Sequence, residues 1–121
     1  MSKLVLIRGL PGSGKSTMAK AMKGYVHVEA DMYFNITGEY IFEPTKIKEA
    51  HKWCQLLAQN ALEHGKNVVV SNTFVRQWEI MPYMFMGADD IEILVATGDY
   101  GSIHNVPEFA IQRMKDNWES L

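Results

Sequence analysis

Cysteine, net charge and long apolar segments are all scarce in this chain of 121 residues. The one cysteine, Cys54, excludes an internal disulfide and a zinc site built from several cysteines. No apolar run approaches the roughly 20 residues that a membrane-spanning helix needs. The apolar stretch at residues 4–7 is also too short for a secretory signal peptide. We therefore expect a reduced, cytoplasmic protein that does not associate with membranes.

The charge of the chain is nearly balanced, with 12 basic and 14 acidic side chains and a net charge of −2. A protein held on nucleic acid by bulk electrostatics would be basic or would carry a basic stripe. The balance therefore disfavours an extended nucleic-acid interface, while a local contact with a nucleic-acid end stays open. Apolar residues make up 47% of the chain, enough for a buried core. The length predicts a single domain over residues 1–121.

Short apolar runs alternate with helical patterns along the chain. Residues 32–43 are aromatic and rich in turn-forming residues, and they fit either a hairpin or an irregular loop. Strands that are apolar on both faces and are joined by helices predict a mostly parallel α/β sheet of about four strands, covered by helices on both faces. The carboxyl ends of such strands meet at one crevice, where ligands bind. Strands are predicted at residues 3–8, 25–28, 67–70 and 91–96, and helices at residues 15–23, 44–65 and 77–86 and from Pro107 onward.

A glycine-rich segment, Gly-Leu-Pro-Gly-Ser-Gly-Lys-Ser-Thr, lies between the first predicted strand and the first predicted helix. The spacing Gly-x-x-x-x-Gly-Lys-Ser in this context is typical of a Walker A loop, whose backbone N–H groups surround phosphates. In such loops the lysine reaches the β- and γ-phosphates and the serine hydroxyl binds Mg²⁺. We therefore predict ATP and Mg²⁺ as cofactors, with Lys15 on the phosphates and Ser16 as the metal ligand. The expected nucleotide-binding residues are Gly9, Leu10, Pro11, Gly12, Ser13, Gly14, Lys15, Ser16 and Thr17.

Four segments in this order, GLPGSGKST, EADMYF, VVVSNTF and NVPEFAIQRM, resemble the polynucleotide-kinase branch of the P-loop kinases. The resemblance covers nearly the whole chain and is strongest to small single-domain ATP-binding proteins of phages and bacteria. It implies a three-layer P-loop fold with the first strand central, ATP–Mg²⁺ as donor, and transfer of the γ-phosphate to a hydroxyl. It also implies that Asp31, which matches the aspartate that activates the acceptor hydroxyl in that family, is the general base.

The chain departs from the pattern of this family at three places. Asn72 stands at a strand end where many P-loop enzymes carry an aspartate on the metal side. Phe34 stands where family members that phosphorylate nucleic-acid ends carry an arginine. The loop at residues 97–106, where the family usually has a lid arginine, contains neither arginine nor lysine. Asn72 fits two roles, a hydrogen bond to a metal-bound water or a cap on the segment that follows it.

Because the loop at residues 97–106 has no arginine, an arginine elsewhere in the chain is a candidate to supply the positive charge beside the phosphates. Arg76 follows the 71–73 strand end closely, so we favour it slightly over Arg113 as a phosphate clamp. Each of these two arginines also fits a solvated surface position. Arg8, directly before the glycine-rich segment, fits a solvated strand end or a stack on a nucleobase. The expected catalytic residues are Lys15, Asp31 and Arg76.

Two functions fit these observations. The first is a kinase that transfers the γ-phosphate to a hydroxyl of a nucleotide, a nucleic-acid 5′ end or another small molecule. The second is a module that binds or slowly hydrolyses ATP and acts through a protein partner, for which the methionine- and aromatic-rich residues 78–86 offer a surface if they do not pack in the core. Asp31 and the aromatic residues near it favour the kinase, whereas the lid without arginine and the neutral Asn72 favour the module.

Overall fold

The computed structural model describes residues 2–36, 38–39, 41–98 and 106–120. Strands and helices alternate as the sequence predicts. Within these ranges, every helix is too short or too polar to cross a lipid bilayer. Two short 3₁₀ helices, Ala30–Asn35 and Pro44–Lys46, precede the longest helix. The main elements are β1 (Lys3–Arg8), α1 (Lys15–Lys20), β2 (Tyr25–Val28), α2 (Ile47–Glu63), β3 (Asn67–Asn72), α3 (Gln77–Met84), β4 (Asp90–Val95) and α4 (Glu108–Asn117).

The four strands form one parallel sheet in the order β2-β3-β1-β4. β1 is therefore an interior strand, as expected. Arg8 at its end lies beside Asn72 of β3 and Val95 of β4. Because all four strands point the same way, their carboxyl ends meet at one edge of the sheet, where the glycine-rich loop begins.

The two faces of the sheet are covered by different helices, because successive side chains of a strand point to opposite faces. On one face, Leu4 and Leu6 of β1 pack in a large cluster with residues of α2, α3 and the first 3₁₀ helix. On the other face, Val5 and Ile7 pack in a smaller cluster that includes Ala19 of α1. The predicted three-layer α/β fold is thus confirmed.

Some predicted element boundaries are wrong where packing overrides the local pattern. The segment after β2 begins with the 3₁₀ helix Ala30–Asn35, not with a hairpin or an irregular loop, because Ala30 and Phe34 are buried against the large cluster. α1 ends at Lys20, three residues earlier than predicted. Residues 99–105, most of the loop without arginine, lie outside the described residues.

The methionine- and aromatic-rich segment at α3 is divided between core and surface. Ile80 and Tyr83 are buried in the large cluster. Trp78 and Phe85 are 70% and 78% exposed. Core packing therefore accounts for only one side of this helix.

Candidate functional site

The glycine-rich loop connects β1 to α1. Gly12 and Gly14 have φ values of 79° and 90°, which glycine adopts without the steric cost that a side chain would bring. The Gly98 N–H donates to the Ser13 carbonyl at 3.0 Å and ties the loop to the segment after β4. The first N–H groups of a helix have no partner within the helix. The loop therefore holds a fixed shape that leaves backbone donors for an anion.

Close packing and one unpaired hydroxyl mark the start of the loop. A Cβ atom at Gly9 would collide with the Ser13 side chain and press on Ala96. The Ser13 Oγ atom is buried and has no hydrogen-bond partner among the described residues. A buried hydroxyl without a partner is costly, and its position in the loop fits a site that takes a polar ligand.

Lys15, at the start of α1, carries the ammonium group of the loop. Its Nζ atom lies 3.5 Å from the Leu10 carbonyl oxygen. Burial lowers the pKa of Lys15, while the nearby carboxylates of Glu29 and Asp31 act to raise it. The loop lysine therefore shares the crevice with two acidic groups from the segment after β2.

Glu29 follows β2 and is half-buried at the crevice. Its Oε1 atom lies 2.9 Å from His27 Nε2. Burial would raise the pKa of the Glu29 carboxyl, but hydrogen bonds from His27, Ser16 and Ser71 hold it below its ordinary value. Sequence reasoning missed this residue, and the available signal was a second acid two positions before Asp31. Glu29 is thus a carboxylate at the crevice whose side-chain contact is with His27.

Asp31 lies in the first turn of the 3₁₀ helix Ala30–Asn35 and is exposed. In the described part of the chain, no hydrogen bond or ion pair engages its carboxylate. Its charge acts to raise the pKa of Lys15 and of His51 on α2. Among the described residues, the Asp31 carboxylate is therefore unengaged, and it lies near enough to Lys15 to act on the pKa of that lysine.

Asn72 is a buried structural residue at the end of β3. Its Oδ1 accepts from the Ala30 N–H at 2.9 Å, and its Nδ2 lies 3.7 Å from the Cys54 sulfur. Both ends of the carboxamide are used in this way. The expected cap on the following segment is wrong, because the side chain instead binds the start of the 3₁₀ helix that carries Asp31. A hydrogen bond to metal-bound water stays a prediction.

Arg8 is almost fully buried, at 2% exposure, so it is not a solvated strand end. Its Nη2 and Nε donate to the Phe74 carbonyl at 2.7 and 3.1 Å, and Nη2 also donates to the Val75 carbonyl at 3.2 Å. Its guanidinium carbon lies 3.9 Å from the centre of the Trp118 ring. The ring that stacks on Arg8 is thus a protein side chain and not a nucleobase, the other alternative, and Arg8 joins the β3–α3 connection to the segment after α4.

Arg76 precedes α3 and is half-exposed. Its Nη2 donates to Asn117 Oδ1 at 2.8 Å, and its Nη1 lies 3.4 Å from Glu119 Oε2. The side chain thus contacts the C-terminal segment. A phosphate-clamp role remains a prediction that requires release from these partners. Arg113 is exposed on α4, 5.9 Å from the ring centre of Phe109.

A cavity of about 660 Å³ adjoins the loop on the β4 side. Small-molecule sites commonly occupy volumes of about 300–1,000 Å³. The cavity therefore offers room for part of a ligand whose phosphates lie in the loop. It is lined by Ser13, Gly14, Thr17, Met18, Val95, Thr97 and Gly98.

The chemistry of these residues fits a nucleotide with Mg²⁺. Backbone N–H groups and the Lys15 ammonium match phosphate oxygens, and the Ser16 hydroxyl is an oxygen ligand of the kind that Mg²⁺ prefers. The described residues contain no group of three or more His, Cys, Asp or Glu side chains that could hold a metal. A cation here would therefore depend on phosphate oxygens and Ser16, which is how Mg²⁺ is commonly held beside nucleotides.

A family model described as an AAA domain matches residues 4–96, from β1 to just beyond β4. NEDD4-binding protein 2 of Homo sapiens is 41% identical over 86 residues, which cover 67% of this chain and 5% of that protein. A protein of Autographa californica nuclear polyhedrosis virus, provisionally named a bifunctional polynucleotide kinase/RNA ligase, is 30% identical over 100 residues, 71% of this chain and 14% of that protein. The chain thus spans only a small part of either relative.

A chain of the solved Pnkp1/Rnl/Hen1 RNA repair complex has the same fold. It superposes with a TM-score of 0.68 at 22% identity, over 96% of this chain and 43% of that chain. At this identity the match concerns the fold alone. The human relative shows that similar domains are not confined to phages and bacteria.

Proposed function

Because this chain belongs to the AAA-domain family that its residues 4–96 match, in the polynucleotide-kinase-like branch of the P-loop kinases, we propose that it transfers the γ-phosphate of ATP to a hydroxyl acceptor. A P-loop kinase-like fold implies nucleotide binding. The observation that carries the proposal is that the Asp31 carboxylate, unengaged among the described residues, lies near enough to Lys15 of the loop to act on the pKa of that lysine.

The donor side of the reaction uses the loop of residues 9–17. Its backbone N–H groups and the Lys15 ammonium bind the phosphate oxygens, and the Ser16 hydroxyl would hold the cation. Mg²⁺, when bound, neutralises part of the charge on the phosphates. The chain itself orients the nucleotide through the fixed loop and the adjoining cavity.

Asp31 is proposed as the general base. It takes the proton of the acceptor hydroxyl while the acceptor oxygen bonds to the γ-phosphorus and the bond to the ADP oxygen breaks. Glu29 is less suited to this role, because its carboxylate is already engaged by His27 Nε2 at 2.9 Å and its pKa is held below its ordinary value. Asp31, free of such bonds in the described part of the chain, keeps its lone pairs available.

Arg76 is proposed as the arginine that approaches the phosphates from the rim of the crevice. Three residues separate it from Asn72 at the end of β3. It is the more accessible of the two arginines on this side, since Arg8 is buried under Trp118. Its bonds to Asn117 and Glu119 are partly exposed, so their loss on ligand binding has a modest cost.

A nucleic-acid 5′ end is the first acceptor to test, because the viral relative bears the name of a polynucleotide kinase. The net charge of −2 and Phe34, at the position of an expected arginine, argue for a small footprint on such an end. Nucleosides, nucleotides and sugars are the further acceptors of the test.

The decisive experiment follows the γ-phosphate of labelled ATP. The purified chain is incubated with 5′-hydroxyl DNA and RNA oligonucleotides, nucleosides, nucleotides and sugars, beside its Lys15→Ala variant. Label in one acceptor, absent with the variant, supports the kinase. Label found only as free phosphate would overturn transfer and favour the second function.

The second function, an ATP-binding or slowly hydrolysing module that acts through a protein partner, rests on the exposed side of α3. Trp78 and Phe85 are exposed there, together with Met81 at 48%. Apolar residues clustered on a surface are typical of interaction sites. The same labelling assay separates the two functions, because only the kinase labels an acceptor.

A further inference from the structure

We propose that Asn117 and Glu119 form an autoinhibitory contact, which holds the Arg76 guanidinium away from the phosphates in the crevice. The inference rests on the proposed function, since it concerns the regulation of the arginine proposed there. Residues 117–120, which we call the strap, lie at the end of α4 and directly after it. The strap thus controls whether this arginine takes part in the reaction.

The strap binds the side chain of Arg76 through two residues. Arg76 Nη2 donates to Asn117 Oδ1 at 2.8 Å, and Nη1 lies 3.4 Å from Glu119 Oε2. Both terminal nitrogens of the guanidinium are engaged in this way. A phosphate bound in the bidentate arrangement uses parallel N–H groups of the same planar fork. The strap and a phosphate therefore compete for Arg76.

The backbone beside Arg76 is held by contacts that do not involve the strap. The Arg76 N–H donates to Glu79 Oε2 at 2.7 Å, and the Val75 carbonyl accepts from Arg8 Nη2 at 3.2 Å. Phe74 has a φ of 47°, which is strained for so large a residue and persists only where the surroundings fix it. Its carbonyl accepts from the Arg8 Nη2 at 2.7 Å. Loss of the strap contacts would therefore free the side chain of Arg76 and leave its backbone in place.

The strap is attached with little apolar burial. Among the described residues of α4, none is buried. The side chains of Arg76 and Glu119 are 43% and 39% exposed, and ion pairs so exposed add little stability. Trp118 stacks on Arg8, and the Glu119 N–H donates to the Val75 carbonyl at 2.9 Å. Segments with few buried apolar contacts open at a low free energy, so this contact can be released without unfolding the domain.

The start of α3 lies near the acidic side of the crevice. Glu79, in the first turn of α3, accepts from the Arg76 N–H. Glu79 and Asp31 both act to raise the pKa of His51 on α2, so both lie near the same side chain. A released Arg76 guanidinium therefore starts close to the carboxylate that is proposed as the base.

The test measures kcat/KM for the acceptor that the labelling assay identifies, in the parent, Asn117→Ala and Glu119→Gln. Glu119→Gln removes the charge opposite Arg76 but keeps an oxygen for the Gln77 N–H, which Glu119 Oε1 accepts at 2.7 Å. Because only molecules with a free Arg76 guanidinium bind the acceptor phosphate productively, each variant should raise kcat/KM about 3–10-fold. Asp116→Asn, which removes an exposed carboxylate next to the strap, is the matched control and should equal the parent.

Two measurements show whether the increase acts through Arg76. In an Arg76→Ala background, neither Asn117→Ala nor Glu119→Gln should raise kcat/KM, because the effects of coupled residues are not additive. The second measurement does not depend on activity. Phenylglyoxal modifies accessible arginines, and its rate of reaction at Arg76, followed by peptide mass spectrometry, should rise in both variants relative to the exposed Arg113.

The outcomes separate this inference from the proposed function. Transfer by the parent with an equal kcat/KM in both folded variants overturns the inference and leaves the kinase untouched. An increase that persists in the Arg76→Ala background overturns it as well. If neither the parent nor the variants label any acceptor, the proposed function is overturned, and the inference with it.

Discussion

The two flanks of the crevice use their charged side chains in opposite ways. On the β2 flank, the Asp31 carboxylate stands free of hydrogen bonds in the described part of the chain, near Lys15. On the α3 flank, Arg8 and Arg76 are both engaged by the end of α4 and the residues that follow it. The Asp31 carboxylate is thus free for the proton transfer proposed for it, whereas the Arg8 and Arg76 guanidinium groups stabilise the packing of the C-terminal residues.

This difference bears on the speed of the reaction. An arginine that contacts the transferring phosphoryl group can be worth about 10³–10⁵ in turnover. Here Arg8 is buried and Arg76 must first leave Asn117 and Glu119. We therefore expect slow ATP consumption by the isolated chain. Four substitutions test this difference between the two flanks.

The largest effect is expected on the acidic flank, from Asp31→Asn. An amide cannot accept the proton, so transfer should fall about 10²–10⁴-fold while ATP affinity stays close to that of the parent. Turnover with the best acceptor and calorimetry with ATP measure the two quantities. Asp116→Asn, an exposed change on α4, is the control. Parent-like turnover of Asp31→Asn would show that this carboxylate is not the base.

Lys15→Ala tests the cation between the flanks. Loss of its charge-assisted contact with phosphate should weaken ATP binding by about 1.5–3 kcal/mol, without unfolding the chain. Calorimetry gives the affinity, and circular dichroism checks the fold. Lys20→Ala at the other end of α1 should bind as the parent does. Equal affinity of parent and Lys15→Ala would rule out the phosphate-loop assignment.

Arg8→Met tests whether the basic flank is structural. The apolar chain would leave the Phe74 and Val75 carbonyls without their charged donor, which should lower the free energy of unfolding by about 1.5–3 kcal/mol. Urea denaturation measures the change. Arg113→Met, exposed on α4, should stay within about 0.5 kcal/mol of the parent. A similar small value for Arg8→Met would contradict the structural role.

The smallest effect concerns His51 on α2. Burial lowers the pKa of His51 below its ordinary value, although Glu79 and Asp31 act to raise it. The unfolded chain therefore binds a proton at higher pH than the folded chain does, so stability should fall on acidification through about pH 6.5. His51→Gln should flatten this part of a stability–pH curve, and the exposed His64→Gln should not. An unchanged slope in His51→Gln would refute the assignment.

Much of the fold could be predicted because its signals are local. The apolar run Lys3–Arg8 and the glycine spacing after it identify β1 and the loop without any knowledge of distant residues. The 3₁₀ helix Ala30–Asn35 could not be predicted in this way. This helix forms because Phe34 packs in the large cluster and because Asn72, 42 positions from Ala30, accepts a hydrogen bond from the first N–H of the helix.

The residues of the candidate site likewise differ in whether a local sequence pattern predicts their role. Residues 9–17 are contiguous, so their spacing alone indicates a phosphate loop. Arg8 binds Phe74, which is 66 positions away, and Arg76 binds Asn117, which is 41 positions away. No local sequence pattern predicts these contacts. Glu29 was missed for this reason, because it reaches the crevice only when β2 pairs with β3 in the sheet.

The sequence by itself determined the α/β class, the parallel sheet and the phosphate loop, since each depends on neighbours along the chain and on the backbone freedom of glycine. Only the tertiary structure decided which polar side chains remain free for chemistry. Parallel strands bring the ends of β1, β2 and β3 to one edge, where Glu29 is engaged by His27, Asn72 binds the Ala30 backbone and Asp31 is left unengaged among the described residues. A side chain's availability depends on which partners come within hydrogen-bond distance, and folding alone brings residues so far apart in sequence to that distance.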